Sequence, residues 1–101
     1  MINDDIRQLS HHLFGHSDRL VAAAAIGRME GKPISVQSLS RESGLDSRRA
    51  QEQVAHFHRI HLLVPDFSSE SRRKDYRAID LSYWIACARL LEELQEREGP
   101  F

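Results

Sequence analysis

Apolar positions along this chain recur mostly at spacings of three and four residues, the period of helices packed on one side. Ile6, Leu9, Leu13 and Phe14 follow that rule and predict a first helix. Asn3 stands where it can cap this helix, and Asp4 and Asp5 lie at its positive end, where anions are favoured. Gly15 ends the pattern. Ser17 is placed to cap a second helix, DRLVAAAAIGRMEG, whose four consecutive alanines combine high helix propensity with a smooth surface for close packing. Gly31 and Pro33 stop it.

A short extended stretch at 34–36 is followed by VQSLSRES, a helix of about two turns with Ser35 as its cap and Gly44 as its left-handed terminator. Asp46 is then placed to cap a longer helix. There Ala50, Val54, Phe57 and either Ile60 or His61 form the inward stripe, and Arg48, Arg49, Gln51, Glu52 and His56 are left outside it. LLVPDF reads as an edge strand, because a proline at its centre has no N–H for a second neighbour. The polar turn SSESRR and the alternating DYRAI complete a β-hairpin with a basic, serine-rich tip. A last helix, capped by Asp80, carries Leu81, Trp84, Ile85, Ala88, Leu91 and Leu94 on one side. The tail, about 97–101, is expected to fray.

Length adds that 101 residues make one domain with one core, so a single unit over 1–101 is expected. An apolar share of 41% and a charged share of 29% suit a small soluble domain, a class that often gains stability by dimerising. Leu20 to Ile26 is the longest apolar run, well short of the roughly 18 residues that suggest a membrane span. The N-terminus is acidic and polar, unlike a secretory signal, and the expected location is the cytoplasm. Cys87 is the one cysteine, set among aliphatic neighbours as a buried, inert thiol.

A net charge of −1 argues against binding nucleic acid by bulk charge. The distribution is more informative. Acidic residues gather at Asp4, Asp5, Glu92, Glu93, Glu96 and Glu98, whereas Arg48, Arg49, Arg59, Arg72, Arg73, Lys74 and Arg77 occupy the middle. Any phosphate-binding surface is therefore local.

The helix pair joined around ESGLDS has the composition of a helix-turn-helix: Ser40 is small where two helices approach, Gly44 supplies the turn, and Leu45, Ala50 and Val54 fill the space between. A following hairpin with Arg72, Arg73 and Lys74 at its tip would be the wing of a winged helix. On LFGHSDRLVAAAAIGRM, VQSLSRESGLDSRRAQEQVAHFHRIHLL and SRRKDYRAI, the chain resembles the winged helix-turn-helix regulators of bacteria. The nearest likeness is to small arsenic-repressor-type (ArsR-like) members, with multiple-antibiotic-resistance-type regulators as cousins. The resemblance covers roughly residues 5 to 95 and speaks to fold more than to target.

That resemblance implies a mainly α fold, five helices plus a short strand and a hairpin wing, in a homodimeric transcriptional regulator whose second motif helix enters the major groove of double-stranded DNA. By position, Ser47, Arg48, Gln51 and Glu52 would face base edges, with Arg49 and His56 nearer phosphate. Arg72, Arg73 and Lys74 would reach the flanking backbone or minor groove. Leu9, Leu13, Phe14, Leu81, Trp84, Ile85, Ala88 and Leu91 would be shared between core and dimer interface. Bound to DNA, such a protein would associate with the nucleoid. Physical chemistry supports the base contacts separately: an arginine fork suits guanine O6 and N7, and a glutamine suits adenine N6 and N7.

The other candidates point elsewhere. His11, His12 and His16 form one histidine group and His56, His58 and His61 another, but the family's cysteine pair is missing from VQSLSRES, and no metal or other cofactor is expected. No nucleophile has a visible base and no glycine-rich loop follows a strand, so no enzymatic activity is expected. Tyr83 and Trp84 would serve either as core or interface aromatics or as the wall of a pocket for a small-molecule effector. Two alternatives to simple DNA binding stand beside it: a winged helix that docks a protein partner, and an effector-gated sensor-regulator.

Overall fold

The computed structural model describes residues 4–66 and 75–96. The described chain is mainly helical, with α1 (Asp4–Phe14), α2 (Arg19–Arg28), α3 (Val36–Ser43), α4 (Ser47–Arg59), β1 (Leu63–Pro65), β2 (Tyr76–Ala78) and α5 (Leu81–Glu96) in order. The helices and the hairpin strands follow the order predicted from the sequence, but the short strand expected at 34–36 does not form: Ile34 makes a single bridge and Val36 already opens α3. Asn3 and the tail at 97–101 lie outside the described residues.

α2 is the axis of the core. Every residue from Leu20 to Gly27 is buried, the all-round burial of a helix enclosed by others. Its small side chains let α5 approach closely: a Cβ on Gly27 would stand 2.1 Å from the Trp84 carbonyl oxygen. Trp84 is wholly enclosed and meets the Phe57 ring edge-on at 4.8 Å, which ties α5 to α4, while its indole N–H donates to the Ile79 carbonyl at 2.7 Å. Ile6 and Ser10 bring α1 onto this axis. The buried Ser10 hydroxyl accepts from the Leu20 N–H and donates to the His16 carbonyl, so both of its roles are filled.

Local signals set the ends of the central helix pair. Ser35 and Ser38 exchange side-chain and backbone hydrogen bonds in a capping box at the start of α3. Gly44 ends that helix at φ +78°, a conformation that costs glycine little. The Asp46 carboxylate accepts from the Arg49 N–H at 2.8 Å and caps α4. α4 ends where His61 turns left-handed at φ +67°, with the Leu62 N–H closing onto the Phe57 carbonyl.

β1 and β2 pair antiparallel with Leu63 opposite Ala78 and Pro65 opposite Tyr76. Ile34 bridges Tyr76 on the other side of β2 as a single residue, with Ser35 already capping α3. This leaves β1 at the edge, where Pro65 needs no second partner.

Three expectations are corrected. Neither Ile60 nor His61 continues the inward stripe of α4: both are exposed, and Gln53 joins Ala50, Val54 and Phe57 beneath the helix. The buried side of α5 runs through Trp84, Cys87, Ala88, Leu91 and Leu94, because the close crossing at Gly27 rotates Leu81 and Ile85 outward. At the start of α2 the cap position belongs to Asp18, whose side chain makes no cap hydrogen bond; its partner is on α4.

Candidate nucleic-acid interface

α4 has two chemically different sides. Ala50, Val54 and Phe57 fill the space beneath it, whereas Ser47, Arg48, Gln51, Glu52 and Ala55 are exposed. Positions 48, 51, 52 and 55 are three and four residues apart, so they share one face of the helix. An arginine fork, an amide and a carboxylate thus stand side by side along about one turn.

Polar contacts to the N-terminal end of α2 hold this helix. Asp18 is buried, and Arg49 grips its carboxylate with two hydrogen bonds, Nε to Oδ2 at 3.0 Å and Nη2 to Oδ1 at 2.5 Å. Arg7 of α1 stands 3.8 Å away as a second cation. The Arg49 hydrogen bond outweighs desolvation and keeps the Asp18 carboxyl below the usual carboxylate range, and the same bond raises the Arg49 guanidinium. One helical turn further on, Gln53 is fully buried and its Oε1 accepts from Arg19 Nε at 2.6 Å. Its Nε2 faces His16 Nδ1 at 3.4 Å, the same ring nitrogen that accepts from the Asp18 N–H. Arg19 Nη1 then meets His56 Nε2 at 2.8 Å, and its guanidinium lies over the Phe57 ring.

Ser47, Arg48, Gln51 and Glu52 therefore stand outward as expected, while Arg49 and His56 turn toward the body of the protein. Arg72, Arg73 and Lys74 lie outside the described residues; β1 and β2, which flank that segment, are in place, and Arg77 on β2 is exposed. Between α3, α4 and β2 lies an open trough of about 540 Å³, lined by Val36, Gln51, Val54, Ala55, His58, Arg59 and Tyr76. It continues the exposed face of α4 toward the strands.

The residues expected at a dimer interface fall into two sets. Leu13, Leu81 and Ile85 are exposed, and Leu9 and Phe14 are half-buried. Trp84, Ala88 and Leu91 are enclosed in the chain's own core and could reach a partner only by unpacking it. Cys87 is buried, and burial pushes its thiol up, away from the reactive thiolate. Among the described residues no three His, Cys, Asp or Glu side chains converge as a metal site, and no helix is long and apolar enough to cross a membrane.

Asp18, Arg19 and Gln53 draw no functional reading from the sequence, and His16 enters it only with His11 and His12 as a candidate metal group. Only Gln53 carried a signal: it sits three residues after Ala50 and four before Phe57, inside an otherwise apolar stripe, where a polar side chain requires a buried partner. Compared with protein-family models, curated proteins and solved structures, the chain matches none.

Proposed function

We propose that this chain is a sequence-specific double-stranded DNA-binding domain of winged helix-turn-helix type that regulates transcription as a homodimer. One observation carries the reading. The face formed by Ser47, Arg48, Gln51 and Glu52 is open, on a helix whose inner side is fastened by a part-buried ion pair and a buried amide. A helix of that width fits the major groove, and a helix already held against the body has less freedom to lose when it meets base edges.

In this reading Arg48 forks onto guanine, Gln51 pairs with adenine, and Ser47 with the start of the helix takes a phosphate oxygen. Glu52 would be repelled by phosphate and is better suited to a cytosine amino group or to a neighbouring arginine. Arg49 and His56 act by positioning α4. Arg72, Arg73 and Lys74 extend contact to the flanking backbone. Of the residues expected at a dimer interface, Leu13, Leu81 and Ile85 are the exposed apolar ones available to a second copy. A two-fold pair of reading helices spaced roughly 34 Å apart selects an inverted repeat.

The test is selection of duplexes from a random pool, followed by fluorescence anisotropy on the winning sequence and a scrambled one over a salt series. Arg48→Ala should weaken the selected site by about 1–3 kcal/mol and relax preference at one base position. Salt should weaken binding through a handful of phosphate contacts only. Equal weak binding to both duplexes, unaffected by Arg48→Ala, would refute DNA reading and turn attention to a protein partner for the same face.

A further inference from the structure

Arginine has hydrogen-bond donors and no acceptor, so the 2.8 Å contact between Arg19 Nη1 and His56 Nε2 requires a lone pair on the histidine nitrogen. His56 is therefore neutral, with its proton on Nδ1. A proton added at Nε2 would place two cations at hydrogen-bond distance. Arg19 cannot readily retreat, because its Nε is held by the buried Gln53 amide and its guanidinium covers Phe57. The ring of His56 must move instead, and it lies on the helix that carries the reading face.

Burial and the neighbouring arginines disfavour a charged His56 ring, while Glu52, four residues earlier on α4, is the acidic residue on the same helix face. Arg19 faces it from α2, Arg59 from its own helix and His16 from the α1–α2 connection; the Asp18 carboxylate at the start of α2 is taken by Arg49. Burial first, then the Arg19 and Arg59 cations with the His16 ring beyond them, hold the ring below its ordinary value of 6.5. As pH falls, the unfolded chain takes up this proton before the folded one does. His56 thus contributes stability that is fully present above about pH 6.5 and is lost as pH falls through its lowered folded value.

We propose that His56 is a proton-operated latch: its neutral ring ties α4 to α2 through Arg19, and a proton on Nε2 releases the tie and weakens DNA binding in mild acid. The DNA half of this inference rests on the function proposed above; the latch itself does not. The sign is diagnostic. A histidine that simply touched phosphate would strengthen binding when protonated, by adding a cation to the interface.

The experiment combines three readouts on the full chain and on His56→Gln, whose amide oxygen can still accept from Arg19 but cannot take up a proton. Ring titration by NMR should place the His56 midpoint below 6.5. Amide exchange across 47–59, corrected for intrinsic rates, should speed up on the order of tenfold between pH 7.5 and 5 in the native chain and far less in His56→Gln. Anisotropy with the selected duplex should show affinity falling on acidification in the native chain, with a flatter profile in the variant whatever its absolute affinity. A midpoint at or above 6.5, or equal acceleration of exchange in both proteins, overturns the latch. If no duplex binds at pH 7.5, the DNA reading fails while titration and exchange still decide the latch.

Discussion

Removing either member of the Arg49–Asp18 pair should have unequal consequences, because the two groups differ in access to water. The side chain of Asp18 is 6% exposed and that of Arg49 is 29% exposed. Arg49→Ala strands a buried carboxylate with Arg7 at 3.8 Å as its remaining cation. Breaking a fully buried pair costs about 3–5 kcal/mol; the partial exposure of Arg49 and the presence of Arg7 bring the expectation down to about 2–3 kcal/mol. Asp18→Ala frees a guanidinium that can swing into solvent, and should cost about 1–2 kcal/mol. The double variant should lose less than the sum, with a coupling energy of about 1–2 kcal/mol. The assay is urea denaturation at pH 7.5, followed by the emission of Trp84, the chain's single tryptophan, which leaves its enclosed site on unfolding. A further check is acid titration. The depressed carboxyl of Asp18 contributes stability above its ordinary value of 3.8, and that stability is lost as pH falls through the lower folded value. The native chain should therefore lose stability at that end while Asp18→Ala does not show this component. Equal single costs with coupling under about 0.5 kcal/mol would refute the reasoning and return Arg49 to the outer face as an ordinary solvated charge.

Two backbone positions give further tests. Gly27→Ala should lower stability by about 3 kcal/mol or more, because its new Cβ would meet the Trp84 carbonyl at 2.1 Å and backbone cannot yield as a side chain can; thermal denaturation should show a fall of more than about 10 °C. His61→Gly should raise stability by about 0.5–1 kcal/mol, since φ +67° strains a side-chain-bearing residue by more than glycine loses in unfolded-state entropy. A melting temperature unchanged or lowered in His61→Gly would contradict that balance.

How much was legible depends on how far apart in the chain the partners are. Ser35, Gly44 and Asp46 announce their helix ends because a cap joins residues two to four apart, and their geometry follows the expected pattern. The alanine run announced a close helix crossing, and Gly27 at Trp84 is where it occurs. The α5 stripe was misjudged because Leu81 and Ile85 have the right spacing for a core side; only the angle at which α5 crosses α2 selects among overlapping apolar stripes on one helix.

Arg48 and Arg49 show the division most directly. They are adjacent, identical in type, and equally polar to any periodicity argument. Successive helix positions are about 100° apart, so one can face outward while its neighbour faces in. The sequence alone determined that a capped helix begins at Ser47 with two arginines, since those signals are local. Which arginine is free was decided by Asp18, 31 residues earlier, and the set of that helix by Gln53 meeting Arg19 across 34 residues and His56 meeting it across 37. Hydrophobic spacing records which side of a helix avoids water; it carries no record of which polar group waits on the element it packs against, and only the folded chain brings the two together.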